Sequence, residues 1–253
     1  MRAHEAGALH GSLGTRGPDW LRTPADVNAL HAPLWPMTVQ RGPEGALVVG
    51  GVDVRWLAQE FGTPAYILDE ADFRARCRDF RMAFAGADVY YAAKAFCAKA
   101  VLRIAVEEGL SVDVCTGGEL AVALAADVPP ERIKVHGNNK SVAELRRALT
   151  VGVGCIVIDS FDEIDRLTAL ARELGVRPRV MVRVTVGVEA HTHEYIATAH
   201  EDQKFGFSLF AGRAFEAAAR ILREDVLELI GLHSHIGSQI FDTSAFEDRK
   251  SVV

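Results

Sequence analysis

A chain of 253 residues, 49% hydrophobic and 25% charged, is long enough for one large α/β domain or two small ones built on a sizeable core. Its net charge of −6, with no dense basic run, excludes a nucleic-acid footprint, and no apolar stretch reaches the roughly 18 residues of a membrane span. The opening MRAHEAGALHGSLGTRG lacks the apolar core of a secretory signal, so the expected location is the cytoplasm, where Cys77, Cys97, Cys115 and Cys155, with no CxxC pair among them, read as reduced small hydrophobes.

Residues 1–45 are rich in Gly, Pro, His and Arg and read as a flexible leader. One short helix is expected over 23–30, with Thr23 as cap and Pro24 at the first helical position. Residues 46–54 give a strand-turn signal pivoting on Gly50-Gly51. A helix over 54–61, an edge strand over 63–68 and a charged helix over 69–84 follow.

From Val89 a rhythm sets in. ADVYYAAK, LSVDVCT, RIKVHGN, GCIVID, RVMVRVTV and LELIGLHSHIG read as buried strands, with amphipathic helices between them over 97–108, 118–126, 141–149, 160–174 and 211–223. Ser141-x-x-Glu144 and Ser160-x-x-Glu163 read as capping boxes. The alternation predicts βαβ units around a parallel sheet, and the near-continuous apolar strands predict cover on both of its faces. Lys94, Asp113, His136, Asp159, Arg183, His233 and His235 fall at or near successive strand C-termini. Polar groups converging from many strand ends favour a (β/α)8 TIM-type barrel over a doubly wound sheet, where they would gather at one switch point. Six strands do not close such a barrel, so the chain reads as the N-terminal portion of a longer protein, inactive alone. Its final Arg249-Lys250-Ser251-Val252-Val253 does not continue the pattern.

Lys94 poses the chemical question. A desolvated lysine at a strand end is a nucleophilic amine suited to Schiff-base chemistry; a salt-bridged rim lysine is the plain alternative. Arg183, inside an apolar strand, must meet an anion, with Asp159 or Glu189 as structural candidates. His235-Ile236-Gly237-Ser238 offers an imidazole for stacking and a hydroxyl for phosphate. His-x-His at 233/235 and 191/193 could instead bind zinc, although 191/193 reads as part of an excursion loop. Lys140 reads as a solvated cap-region lysine, and Gly117-Gly118 as a helix start or a weak phosphate loop.

On these residues the sequence resembles a known family. Tyr91-Ala-Ala-Lys94-Ala95-Phe96, Asp113-Val-Cys-Thr-Gly-Gly-Glu-Leu, His136-Gly-Asn-Asn-Lys-Ser, Val157-Ile-Asp-Ser, Arg183, Ala190-His-Thr-His, Lys204-Phe-Gly and Gly231-Leu-His-Ser-His-Ile-Gly-Ser-Gln239 recur in order. This series is similar to the group IV, alanine-racemase-fold, pyridoxal-phosphate-dependent amino-acid decarboxylases. AHTH…KFG and GLHSHIGSQ are most like the diaminopimelate-acting branch, and GVDVRWLAQEFGTPAYILDEADFRAR is similar to its actinobacterial form. The resemblance covers about residues 45–247. It implies a pyridoxal 5'-phosphate-binding barrel over 69–253, incomplete after about six strands, with residues 46–68 belonging to a β-domain whose remainder is not in this chain. It implies that Lys94 holds the cofactor covalently and moves protons, that His235 stacks on its ring and that Ser238 binds its phosphate. Asp113 and Arg183 would support the ring, and no metal is needed. The implied reaction is decarboxylation of meso-2,6-diaminopimelate to L-lysine, by a homodimer at full length, with ornithine-, arginine- or carboxynorspermidine-type decarboxylases and a non-catalytic cofactor-binding barrel as alternatives. Ala93 and Phe96 depart from the family's frequent Leu and Asn.

Overall fold

The computed structural model describes residues 26, 28–185, 205–209 and 211–235, in two compact units, 1–73 and 74–253. In the first unit, a single 3-10 turn (Ala32–Leu34) precedes an antiparallel meander of β1 (Gln40–Arg41), β2 (Leu47–Val49) and β3 (Val52–Asp53). Gly50 and Gly51 both carry positive φ, 58° and 83°, as a two-residue turn between right-twisted strands requires. Helix α1 (Val54–Phe61) follows at once, with the Asp53 carboxylate accepting the Arg55 amide at 2.8 Å.

Three readings of this unit change. Strand β1 lies inside the segment read as a leader. Residues 26 and 28–30, within the helix expected at 23–30, form a turn in which the Asp26 carbonyl accepts the Ala29 amide; the rest of that helix lies outside the described residues. Segment 63–68 forms no strand: an apolar pattern becomes a strand only beside a partner edge, none pairs with it among the described residues, and Tyr66, Ile67 and Leu68 stand exposed.

Helix α2 (Glu70–Ala83) leads into the second unit. There β4 (Tyr90–Ala92), β5 (Ser111–Val114), β6 (Ile133–Val135), β7 (Cys155–Ile158), β8 (Arg179–Thr185) and β10 (Glu228–His233) pair in parallel in strict chain order, and the short β9 (Phe207–Ser208) pairs with the end of β8. Helices α3 (Lys99–Glu107), α4 (Gly117–Ala125), α5 (Val142–Val151), α6 (Phe161–Leu174) and α7 (Arg213–Arg223) fill the connections. A doubly wound sheet reverses its strand order at a switch point; an order that never reverses is that of a TIM-type barrel.

Side-chain alternation sets the two faces apart. Val112, Val114, Ile133, Val135, Ile156, Ile158, Val180, Val182 and Val184 join Leu102, Leu120, Leu145, Ile164, Leu167 and Ile221 of the helices in one core. The registered partners Ala92, Asp113, Lys134 and Cys155, and then Arg183 and His233, occupy the opposite face. The expectation of two apolar, covered faces is therefore corrected: helices cover one face, and the other is the polar inner wall. Only β7 is buried along its whole length.

Two local devices hold the loops. Glu144 completes the capping box at Ser141, accepting its amide at 2.9 Å, and reaches across to accept the Gly117 amide at 2.7 Å, so one carboxylate caps two helices. At α6, Ser160 accepts the Glu163 amide at 3.3 Å, but the Glu163 carboxylate turns inward, so the second expected capping box is half formed. Before β7, a Cβ on Gly154 would lie 2.0 Å from the Glu131 carbonyl oxygen, an approach that only glycine permits.

Two outcomes follow for stability. Gly154→Ala must push the Glu131 backbone away, and thermal melting should show a loss on the order of 2–3 kcal/mol. The Ser141 and Gly117 amides, with the Ser141 hydroxyl, hold the Glu144 carboxyl below its usual range. A lowered folded pKa stabilises above the unfolded value and ceases to as pH falls through the folded one. Glu144→Gln should therefore cost about 1 kcal/mol in urea titrations at pH 7, and the gap from the parent should close on acidification below about pH 4.

Candidate active site

The C-terminal rim of the parallel sheet gathers the chemically able side chains. β4 ends in a 3-10 turn (Ala93–Ala95) in which Ala93 is fully buried and anchors the turn while Lys94 points out of the core. Lys94 is exposed, which corrects the expectation of a desolvated amine: the wall of the short β4 ends at Ala93, and nothing described stands above it. Its position at the strand end is as expected. Beside it, at the end of β5, burial and the Glu119 hydrogen bond push the Cys115 thiol up to about 11, against the opposing pull of Lys94.

The inner wall continues through a carboxylate–imidazole pair. Asp113 Oδ1 lies 2.9 Å from His136 Nδ1, and the His136 ring stacks on that of His233 with centroids 6.5 Å apart and planes 21° from parallel. Burial, with the Arg183 charge next in effect, lowers the pKa of His233 to about 3, so that ring is neutral at physiological pH. Its Nδ1 is buried with no hydrogen-bond partner among the described residues. His233, left aside by the sequence reading, thus stands on β10 opposite Arg183 and stacks against His136.

Arg183 occupies the position registered opposite His233. Its Nη1 lies 3.5 Å from Asp159 Oδ1, and its guanidinium covers the Phe205 ring at 4.3 Å. Of the two anions weighed for it, Asp159 is present, and Glu189 lies outside the described residues. Burial pulls the Arg183 pKa down and drives that of Asp159 up, so at this separation their attraction only partly offsets the desolvation of each.

The sequence reading missed one pair entirely. Lys140, read as a solvated cap lysine, is 3% exposed and lies 2.8 Å from Glu163 Oε1, which is equally buried. The correction has a local cause: the loop after β6 turns back at Gly137, and the Lys140 ammonium donates inward to the Gly137 and Val157 carbonyls at 2.6 and 2.8 Å. The usable signal was Glu163 itself, whose place in a capping box hid an alternative role for its carboxylate.

His235 is half-buried just beyond β10, where the Ser234 hydroxyl donates to the Val184 carbonyl at 3.1 Å. Ser238, Lys204, His191 and His193 lie outside the described residues. Among the described residues no three His, Cys, Asp or Glu side chains gather as metal ligands, and no helix is long and apolar enough to cross a membrane. The donor set is an accessible primary amine, the neutral imidazole of His233, an imidazole held by a carboxylate, and a buried guanidinium. It fits an aldehyde-bearing aromatic cofactor better than a cation: the amine can condense with the aldehyde, and the buried His233 nitrogen awaits a polar partner on the same wall.

Known proteins agree with this assignment. The family model described as pyridoxal-dependent decarboxylase, pyridoxal binding domain, matches residues 70–252. The diaminopimelate decarboxylase of Mycobacterium leprae (strain TN) is 53% identical over 250 residues, which are 98% of this chain and 53% of that protein. That of Bacillus subtilis (strain 168) is 50% identical over 213 residues, covering 83% of this chain and 48% of the other. The crystal structure of diaminopimelate decarboxylase from M. jannaschii in co-complex with L-lysine superposes with a TM-score of 0.77 at 29% identity, over 86% of this chain and 52% of that one. The chain thus spans about half the length of the curated relatives it matches. With the unreversed strand order and the amine at the end of its first parallel strand, these matches place the chain in the family of pyridoxal-dependent decarboxylases, as their pyridoxal-binding domain.

Proposed function

We propose that the protein decarboxylates meso-2,6-diaminopimelate to L-lysine and carbon dioxide with pyridoxal 5'-phosphate. The observation that carries this reading is Lys94, an accessible amine at the C-terminal end of β4, in a chain 48–58% identical to diaminopimelate decarboxylases of several bacteria. That crystal structures of two such enzymes, from M. jannaschii and Helicobacter pylori, hold L-lysine supports the same substrate class.

When bound, pyridoxal phosphate supplies an electron sink for the pair left behind by departing carbon dioxide. The residues of this chain hold and orient it. The Lys94 Nζ would hold the cofactor through its aldehyde carbon, and the same amine would be placed to carry a proton. By the family resemblance, the His235 imidazole would stack on the ring and the Ser238 hydroxyl would donate to the phosphate. Asp113 holds His136 through Nδ1 and so fixes the orientation of its ring on the inner wall. The neutral His233 would add no charge to the cofactor's surroundings, and Arg183 would supply a positive field from the same wall. At the length of its relatives the protein acts as a cytoplasmic homodimer, with residues 46–68 joining a β-domain and 69–253 forming the barrel.

Adding pyridoxal phosphate to the protein should generate a visible absorption band, and borohydride should then fix the cofactor on the peptide containing Lys94. Lys94→Ala should give neither while melting within about 2 °C of the parent, because the side chain is exposed. Cofactor fixed on another lysine would refute the assignment. In the protein extended to the length of its relatives, carbon dioxide release should be at least about a hundredfold faster from meso-diaminopimelate than from ornithine or arginine, since buried polar groups left unpaired by the wrong substrate are costly.

A further inference from the structure

We propose that Lys140 and Glu163 are positioning residues which, through Asp159, fix Arg183 on the inner wall; what Arg183 serves there rests on the pyridoxal phosphate reading. The ammonium of Lys140 donates to the Gly137 carbonyl at 2.6 Å and the Val157 carbonyl at 2.8 Å, and it forms an ion pair with Glu163 Oε1 at 2.8 Å. Glu163 turns its second oxygen to the Asp159 amide at 3.0 Å. One ion pair therefore ties the loop after β6, the end of β7 and the first turn of α6 to a single point.

Stability does not account for such a pair. Burying both charges costs about as much as their attraction returns, and well-packed apolar replacements are often neutral or better. Its effect is geometric, and it reaches Arg183 in two steps. The Asp159 carboxylate, on the residue whose amide Glu163 holds, accepts the Gly206 amide at 3.0 Å through Oδ2 and faces Arg183 Nη1 at 3.5 Å through Oδ1. Gly206 in turn presses on Arg183. Its φ is +70°, and a Cβ there would stand 2.9 Å from the Arg183 carbonyl oxygen and 3.1 Å from its Cγ. With Phe205 under the guanidinium at 4.3 Å, Arg183 is confined on sides whose placement traces back to one carboxylate oxygen of Glu163.

Two double variants separate positioning from packing. K140M/E163Q removes both charges but keeps a carbonyl to accept the Asp159 amide; K140M/E163L removes the acceptor as well. Neither leaves a buried charge unpaired, as Glu163→Gln alone would. Amide hydrogen exchange at Asp159 and Gly206, measured without cofactor, reads the position of Asp159 directly. Pyridoxal phosphate affinity, read from its absorption band, reports the consequence at the site. In K140M/E163L, exchange at both amides should quicken by about tenfold and cofactor affinity should fall by about tenfold, with the melting temperature close to that of K140M/E163Q; the latter should stay within about threefold of the parent in both. Equal exchange in the two doubles, or losses that merely follow a fall in melting temperature, would overturn the proposal. If the parent shows no absorption band, the cofactor reading fails, while exchange at Asp159 and Gly206 still decides whether Glu163 positions Arg183.

Discussion

The structure depends on a period of two. Along β5, β6 and β8 every second side chain is a branched aliphatic that locks onto the helices, and the intervening ones, Asp113, Lys134 and Arg183, face the other way. A one-residue slip in any of these strands would thrust charges into the helix-packed core and valines into the inner wall. Register is thus the condition both for folding and for the presence of a site. The same alternation that buries Val112 and Val114 delivers Asp113 to His136.

Polar residues on the inner wall are tolerable because each of these side chains meets an ionic, hydrogen-bonding or aromatic partner. Asp113 meets His136, Arg183 meets Asp159, Lys140 meets Glu163, and Lys134 covers the Tyr90 ring at 3.8 Å. His233 is the exception: it stays neutral, and its Nδ1 has no partner among the described residues. Pairing of this kind contributes little net stability, so the aliphatic layer between strands and helices holds the fold, and the inner wall is left to chemistry.

Much of this was legible in the chain. The repeated exchange of short apolar runs and amphipathic stretches located all six principal strands and the five helices between them, because both periods are set by backbone geometry. The order of polar strand ends told barrel from open sheet; Lys94 and His235 lie just beyond strand ends, and Asp113 and Arg183 lie on the inner wall within β5 and β8. What escaped was set by three-dimensional neighbours. Glu163 reads as a cap in one dimension and becomes half of a buried ion pair only when the loop carrying Lys140 folds over it. Segment 63–68 has a strand's composition, but strand formation is decided by a partner edge and not by composition. The exposure of Lys94 was invisible because burial depends on how far the wall rises beyond the strand.

The raised Cys115 thiol bears on selectivity. The Lys94 charge acts on this sulfur, and a thiolate there would compete with the amine for any aldehyde. With its proton held up to about pH 11, roughly one sulfur in ten thousand is ionised at neutrality. Burial thereby keeps this sulfur in its less nucleophilic, protonated form.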